Sequence, residues 1–260
     1  MLPEWLSFLL RLCLFAWLAL ALFALLFARS MLFQPPKPGY KPDFVQMIES
    51  SQGQKIAIRY YANPKASYTV LLSHGNAEDI ASVDSLCQWL YAQGLSVLSY
   101  DYRGYGLSQG HASEQNSYED VTAAYTWLQK VKGIPAKRII AFGFSLGASL
   151  AVDLASRMPV AAVVLQSPFV SAYRVMTRFT LLPWDQFDNL SKIQKIDSAI
   201  LIIHGDQDEV VPFWHGKRLH EKAKQPKSFL WVKGARHNDL QAVAGQSYGK
   251  ACLTFLAKLP

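Results

Sequence analysis

From residue 44 onward, the chain shows one repeating pattern, in which short apolar segments alternate with longer amphipathic ones. The short segments have the length and composition of buried strands, and the longer ones carry apolar residues at helical spacing. We predict strands at 45–48, 56–60, 70–73, 95–100, 139–142, 160–165, 199–203 and 228–232, and helices at 81–92, 118–130 and 146–157. Continuous apolar strands separated by helices favour a mostly parallel sheet with helices on both faces, so the predicted class is α/β.

The N-terminal segment differs from this pattern. An uncharged apolar run occupies residues 12–28, between Arg11 and Arg29. Counted from Trp5, the apolar stretch is long enough to cross a bilayer if Arg11 reaches the interface. We therefore predict a single-pass membrane anchor over residues 1–33.

Two alternatives to the anchor stay open. The small residues at 19–21 resemble the cleavage site of a secretory signal, although the apolar run continues past them to Phe27. A helix buried in a protein core is the other alternative. After the anchor, prolines predict an extended linker over residues 34–43, followed by a globular domain over 44–260.

Basic residues follow the apolar run more often than they precede it. Arg29, Lys37 and Lys41 lie after it, whereas only Arg11 and the amino terminus precede or enter it. By the positive-inside rule, this distribution favours a domain on the cytoplasmic side of the membrane.

The net charge of +7 is not concentrated in one region. Loose basic clusters at 130–138 and 217–227 are interpreted as solvated faces, with attraction to an anionic lipid surface as the alternative. We predict no nucleic-acid partner. Cys13, Cys87 and Cys252 show no metal-ligand spacing, and no phosphate-binding loop or dinucleotide motif is present, so neither a metal nor a cofactor is predicted.

The chemistry begins at residues 143–147, which read Gly-Phe-Ser-Leu-Gly. A nucleophile on a sharp turn between a strand and a helix needs glycine two residues before and after it, because side chains there would collide with the neighbouring backbone. This segment directly follows the strand predicted at 139–142 and opens the helix predicted at 146–157. We therefore predict Ser145 as a nucleophile.

A serine hydroxyl needs a histidine to take its proton and a carboxylate to orient that histidine. Residues 204–212 follow a predicted strand, so their carboxylates lie at the same edge of the sheet as Ser145. Asp208 is the predicted acid. Asp206 is the alternative, although a role in stabilising its own turn suits it better, and Glu209 is expected to face solvent.

Histidine and backbone amides complete the predicted site. His237 lies in a loop after the last predicted strand and is the predicted base. His74 follows the first buried strand and is expected to shape the loop that carries the oxyanion hole. We assign that hole to the backbone amides of Asn76 and Leu146. The remaining histidines are expected on the surface or on helix faces; they are His111, His215 and His220.

Five segments, taken in order, resemble the α/β-hydrolase superfamily. They are residues 73–77, 100–106, 143–147, 204–208 and 237–239. More narrowly, the chain resembles the branch that contains the membrane-associated protein depalmitoylases of eukaryotes and their bacterial relatives, over nearly everything from Leu32 onward. The resemblance implies an α/β-hydrolase fold and a triad of Ser145, Asp208 and His237. It also implies hydrolysis of acyl esters or thioesters through an acyl-enzyme.

The chain departs from that branch at its N-terminus. A hydrophobic helix replaces the cysteine-rich, acylated segment of the depalmitoylases, so the identity of the substrate is not carried over. The resemblance places a short cap at residues 167–197, where Phe169, Phe179 and Phe187 are found with other aromatics. An aromatic cap suits an acyl chain, either of a lipid or of an acylated protein, but the same aromatics would also serve to pack the cap onto the sheet.

Other functions stay open at this point. A serine peptidase of the same fold would use the same triad, and a non-catalytic binding protein would normally lack one of its members. Among esterases, a lysophospholipase or monoacylglycerol lipase competes with a thioesterase. Arg103, near the same rim, is expected to form a structural salt bridge.

Overall fold

The computed structural model describes residues 3–260, apart from the side chains of residues 28 and 29. The first two residues of the predicted anchor and the side chain of Arg29 therefore lie outside the described part. The chain divides into two compact units, of which the first ends at Gln34 and the second spans Pro35–Pro260.

The first unit consists mainly of one long helix, α1 (Glu4–Leu32). Within it, the segment Glu4–Phe27 is long and apolar enough to cross a membrane, and only 6% of its most apolar window is buried. A core helix would be mostly buried, so this exposure argues against the core-helix alternative. A signal sequence meets the same criteria of length and composition.

The second unit is built on one eight-stranded sheet with the spatial order β1-β2-β4-β3-β5-β6-β7-β8. The strands are β1 (Gln46–Glu49), β2 (Lys55–Tyr61), β3 (Thr69–Ser73), β4 (Ser96–Tyr100), β5 (Ile139–Phe144), β6 (Ala162–Gln166), β7 (Ala199–Gly205) and β8 (Lys227–Val232). The first two strands form the predicted antiparallel hairpin, and β2 is antiparallel to β4. All other pairs are parallel. This mostly parallel sheet confirms the predicted α/β class.

Eight α-helices accompany the described strands, six between strands and two after β8. They are α2 (Asp84–Ala92), α3 (Glu114–Lys130), α4 (Leu146–Arg157), α5 (Tyr173–Met176), α6 (Asn189–Lys192), α7 (Trp214–Lys222), α8 (Leu240–Ala244) and α9 (Gln246–Leu256). Short 3₁₀ turns lie at Pro42–Phe44, Ser51–Gly53, Ala136–Arg138 and Ile193–Lys195. Helix α3 begins earlier than predicted because the Ser113 hydroxyl caps it by accepting from Asn116 N.

The two faces of the sheet are covered by different helices. Alternate strand residues, among them Leu72 and Phe142, share one apolar cluster with Leu90 of α2 and Phe255 of α9. Side chains alternate between the faces of a strand, so the intervening residues face the opposite side, where α3 and α4 contact the sheet. This arrangement confirms the prediction of helices on both faces.

The cysteines are all free. Cys87 in α2 and Cys252 in α9 are buried, and burial raises the pKa of each thiol to about 12. Cys13 lies exposed on α1.

Candidate active site

Ser145 lies at the junction of β5 and α4, in a backbone conformation that few non-glycine residues adopt. Its φ is 52° and its ψ is −112°. A Cβ atom at Gly143 would collide with the backbone of Gly147, and a Cβ atom at Gly147 would collide with the Ser73 carbonyl oxygen. The two glycines therefore allow the sharp turn on which Ser145 is held.

The structure brings the three predicted side chains together. His237 Nε2 lies 3.1 Å from Ser145 Oγ, and His237 Nδ1 lies 2.8 Å from Asp208 Oδ2. A carboxylate only accepts, so Nδ1 carries the proton and Nε2 is left to accept from the serine hydroxyl. His237 and Asp208 are both buried, which removes competing water from the bond between them.

Asp208 is held by several further donors. The backbone N–H groups of Val210 and Val211 donate to its Oδ1 at 3.0 and 2.7 Å. His204 Nε2, which also bonds Val211 O, lies 3.3 Å from its Oδ2. Burial alone would raise the pKa of Asp208, but the bonds from His204 and His237 outweigh it and hold that pKa well below its usual range.

The neighbouring carboxylates have other partners. Asp206 accepts from Gly234 N at 2.6 Å, so it ties the loop after β7 to the loop after β8 rather than capping its own turn. Glu209 is exposed and lies 3.6 Å from Arg236. Glu209 also accepts from the backbone N–H of His237 at 3.4 Å. Asp208, and not Asp206, is therefore the carboxylate that contacts the imidazole ring of His237.

The predicted oxyanion amides lie on two elements that flank Ser145. Leu146 is the first residue of α4, where a backbone N–H has no acceptor within the helix. Asn76 follows β3, and its side-chain Oδ1 accepts from Tyr105 O–H at 2.6 Å. The amide of the preceding residue, Gly75, donates to Glu78 Oε2 at 2.5 Å and is therefore engaged. The roles of Asn76 and Leu146 stay predictions.

His74 is completely buried beside this segment. Its Nδ1 lies 2.7 Å from Gly75 O, and its Nε2 lies 3.2 Å from Asp101 Oδ1, at ion-pair distance. The contact between His74 Nε2 and Asp101 is not aligned as a hydrogen bond, so it is an electrostatic contact. Burial alone would lower the pKa of His74, but Asp101 and the Gly75 carbonyl together raise it.

His215 lies on a helix face, which is one of the two positions that the sequence predicts, but that face is turned inward. His215 on α7 is fully buried, with Nδ1 accepting from Val170 N at 3.2 Å. Burial lowers its pKa to about 3. Its helical spacing from the buried Leu219 is the signal that places it on the inner face of α7. His111 is exposed as expected, and His220 is half-buried against Phe229.

A cavity of about 370 Å³ adjoins His237. Its lining includes apolar side chains such as Phe144 and Val83 and a larger number of polar ones, such as Glu78 and Gln166. The phenylalanines of the predicted cap form two groups that differ in burial. Phe169 and Phe187 are buried and in edge-to-face contact, so they pack the cap. By contrast, Phe179 is 74% exposed.

Arg103 forms the predicted structural salt bridges. Its Nε lies 2.8 Å from Asp120 Oδ1, and a terminal nitrogen lies 2.7 Å from Glu119 Oε2. Arg103 and Asp120 are both buried. The pair fixes the loop after β4 onto α3.

Comparison with known proteins identifies a family to which this chain is similar. A family model described as "Serine aminopeptidase, S33" matches residues 64–187. The human α/β hydrolase domain-containing protein 17B is 43% identical over 199 residues, which cover 75% of this chain and 69% of that protein. The Caenorhabditis elegans α/β hydrolase domain-containing protein aho-3 is 42% identical over 184 residues, covering 68% of this chain and 54% of that protein.

Solved structures share the fold at low sequence identity. A Pyrococcus furiosus esterase superposes with a TM-score of 0.74 at 22% identity, covering 87% of this chain and 99% of that one. The esterase domain of a Rhodothermus marinus protein gives a TM-score of 0.64 at 20% identity, over 81% and 97% of the two chains. These likenesses confirm the α/β-hydrolase fold, and the similarity to the human relative over 75% of this chain confirms the resemblance found in the sequence. The chain is a hydrolase and belongs to the α/β-hydrolase domain-containing protein 17 family.

Proposed function

We propose that this chain is a membrane-anchored serine hydrolase that cleaves acyl esters or thioesters. In this proposal Ser145 is the nucleophile, His237 the general base and Asp208 the carboxylate that orients it. The observation that carries the proposal is the continuous series of contacts from Ser145 Oγ through both nitrogens of His237 to Asp208.

The chemistry follows from these contacts. His237 Nε2 takes the proton as Ser145 Oγ attacks the acyl carbon, and Asp208 stabilises the imidazolium that forms. The negative oxygen of the tetrahedral intermediate is stabilised by the amides of Asn76 and Leu146. His237 then protonates the leaving alcohol or thiol, and a water molecule, activated by the same histidine, releases the acid and restores Ser145.

Two features support an acyl substrate at a membrane. The cavity beside His237 combines apolar side chains with a larger number of polar ones, so it offers contacts to both the apolar chain and the polar ester group of such a substrate. Helix α1 has the length and composition of a membrane span, which would hold the enzyme at the surface where acylated lipids and proteins reside. The bias of basic residues toward the C-terminal side of α1 favours a cytoplasmic catalytic domain.

A peptidase is the second candidate, because the matching family model is described as a serine aminopeptidase. It would use the same three side chains, so only substrates separate the two functions. A non-catalytic binding protein is disfavoured because all three groups are present and in contact.

The test is hydrolysis of p-nitrophenyl esters from acetyl to palmitoyl, with matched thioesters and aminoacyl p-nitroanilides, by the detergent-solubilised chain. We expect ester or thioester turnover that falls at least about 10³-fold in Ser145→Ala and His237→Ala. Ser156→Ala is the control, because this serine lies on α4 and only donates to Asp153 O.

Turnover of the anilides alone would assign a peptidase. A wild-type chain that cleaves none of these substrates and is not labelled by a fluorophosphonate would overturn the proposal in favour of a binding protein.

A further inference from the structure

The predicted linker is bonded to the catalytic unit just before the first strand. Gly39 N donates to Asp79 Oδ2 at 2.6 Å, and the Tyr40 hydroxyl donates to Asp101 Oδ2. Leu107 N in turn donates to the Tyr40 oxygen at 3.1 Å. Two consecutive linker residues are therefore fixed to loops at the carboxyl edge of the sheet, where Ser145 also lies.

Asp101, the partner of Tyr40, is a fully buried carboxylate at the end of β4. Its Oδ1 accepts from Ile80 N at 2.9 Å and lies 3.2 Å from His74 Nε2. A buried carboxylate without enough donors carries a large free-energy cost, so each of these contacts matters. The Tyr40 hydroxyl is the donor to Oδ2.

His74 requires this carboxylate. Both of its ring nitrogens face acceptors, the Gly75 carbonyl oxygen and Asp101. A neutral imidazole has one N–H group and no net charge, whereas the imidazolium can donate to the Gly75 carbonyl oxygen and also carries the positive charge that an ion pair with Asp101 requires. The negative charge of Asp101 compensates the positive charge that this leaves in the interior.

The segment that His74 belongs to lies directly against the nucleophile turn. A Cβ atom at Gly147 would collide with the carbonyl oxygens of Ser73 and His74. The Tyr102 hydroxyl also donates to His74 O, and the two rings stack with centroids 4.2 Å apart. The position of His74 therefore sets the position of the Asn76 amide, two residues further along, relative to Ser145.

We propose that Tyr40 is a positioning residue for the oxyanion hole and that it acts through Asp101 and His74. The inference rests on the proposed function, because it concerns the amide assigned to that hole. On this view the linker is part of the scaffold of the active site as well as the connection to α1.

The test uses Tyr40→Phe in the full-length, detergent-solubilised chain, because this change removes only the hydroxyl. We expect kcat for ester hydrolysis to fall on the order of 10-fold, with KM changing by less than about 2-fold, because a displaced oxyanion donor affects the transition state more than substrate binding. A trifluoromethyl ketone with the preferred acyl chain, which forms a tetrahedral adduct with serine, should lose affinity by the same factor as kcat/KM.

Tyr125→Phe is the matched control. Its hydroxyl donates to Pro159 O at 2.6 Å, so the variant also loses one tyrosine hydrogen bond, but in a different part of the unit. We expect its kcat and its affinity for the ketone to equal those of the wild type at a temperature where both variants are folded.

An unchanged kcat in Tyr40→Phe, or a rise in KM without loss of ketone affinity, would overturn the inference. If Tyr40→Phe does not fold, His74→Gln carries the test, because glutamine can donate toward Asp101 but cannot become charged. A kcat equal to that of the wild type in His74→Gln would also overturn the inference. A wild-type chain without activity or fluorophosphonate labelling would instead defeat the proposed function, so the two failures are distinguishable.

Discussion

His204 Nε2 lies 3.3 Å from the same oxygen of Asp208 that accepts from His237 Nδ1. The carboxylate therefore faces two histidines, His204 near the end of β7 and His237 in the loop after β8, and His204 holds it without contacting the nucleophile. This arrangement makes Asp208 an acceptor whose orientation is fixed before any substrate arrives.

Replacing Asp208 by asparagine tests that role. The asparagine amide can present a donor to His237 Nδ1, which would favour the tautomer with its proton on Nε2 and leave no acceptor for Ser145 O–H. We expect Asp208→Asn to lower kcat by about 10³- to 10⁴-fold.

Asp206→Asn is the control, since Asp206 accepts from Gly234 N and does not contact His237 in the structure. We expect it to keep most of the wild-type kcat, measured with the same ester. Equal losses in the two variants would contradict the assignment of the acid to Asp208.

Acid stability depends on His215, whose pKa is lowered from 6.5 to about 3. Between these values the unfolded chain binds a proton that the folded chain excludes, so the free energy of unfolding falls as the pH falls through this window. The raised pKa of His74 has the opposite effect on the free energy of unfolding. Its stabilising contribution is fully present below pH 6.5 and is lost as the pH rises through the folded-state pKa.

We expect His215→Asn to make the melting temperature less sensitive to pH between about 6.5 and 4.5, because asparagine can accept from Val170 N without titrating. Thermal unfolding followed by circular dichroism measures this slope. His111→Asn, at an exposed position, should leave it unchanged. A slope in His215→Asn as steep as that of the wild type would refute the assignment.

Stability also depends on the buried pair of Arg103 and Asp120. Arg103→Met would leave Asp120 buried without its counter-charge, and we expect the free energy of unfolding to fall by about 3–5 kcal/mol. Adding Asp120→Leu should recover a large part of this loss. Arg218→Met, which breaks an ion pair between exposed side chains, should cost less than about 1 kcal/mol. Denaturant titration gives these values, and failure of the double variant to recover stability would show that packing, not charge, dominates.

The proposal that α1 is a membrane anchor can be tested separately. An uncleaved anchor should keep the chain in the membrane pellet after alkaline carbonate extraction, and the intact mass should include residues 19–21 and all that precedes them. Leu14→Arg combined with Leu18→Arg, near the middle of the span, should release the chain, because each arginine costs about 2.5–3.5 kcal/mol there. A mature chain that begins after residue 21 would establish the signal-peptide alternative.

The sequence is most informative where local chemistry determines structure. Apolar strand segments and the glycines around Ser145 predict β5, α4 and the turn between them, because strand burial and steric exclusion are local properties. The start of α3 depends on the Ser113 cap, a signal that is present in the sequence and that our prediction of the helix missed.

Long-range pairing is harder to predict. His215 is buried because it lies on the inner face of α7. The residue type alone does not predict this. The bond from Tyr40 to Asp101 joins a proline-rich segment to a distant strand end, so it depends on the completed fold. The roles of Ser145, Asp208 and His237 are predicted from their order along the chain, but the distances between them depend on the assembly of β5, β7 and β8 into one sheet.

The buried thiols of Cys87 and Cys252 have a practical consequence for the assay of thioester cleavage. Their pKa values of about 12 leave almost no thiolate at neutral pH, and burial keeps reagents away from them. A chromogenic disulfide added to capture the thiol released from a substrate should therefore react with product and not with the catalytic unit. Continuous recording of thioester turnover is thus compatible with the native cysteines of that unit.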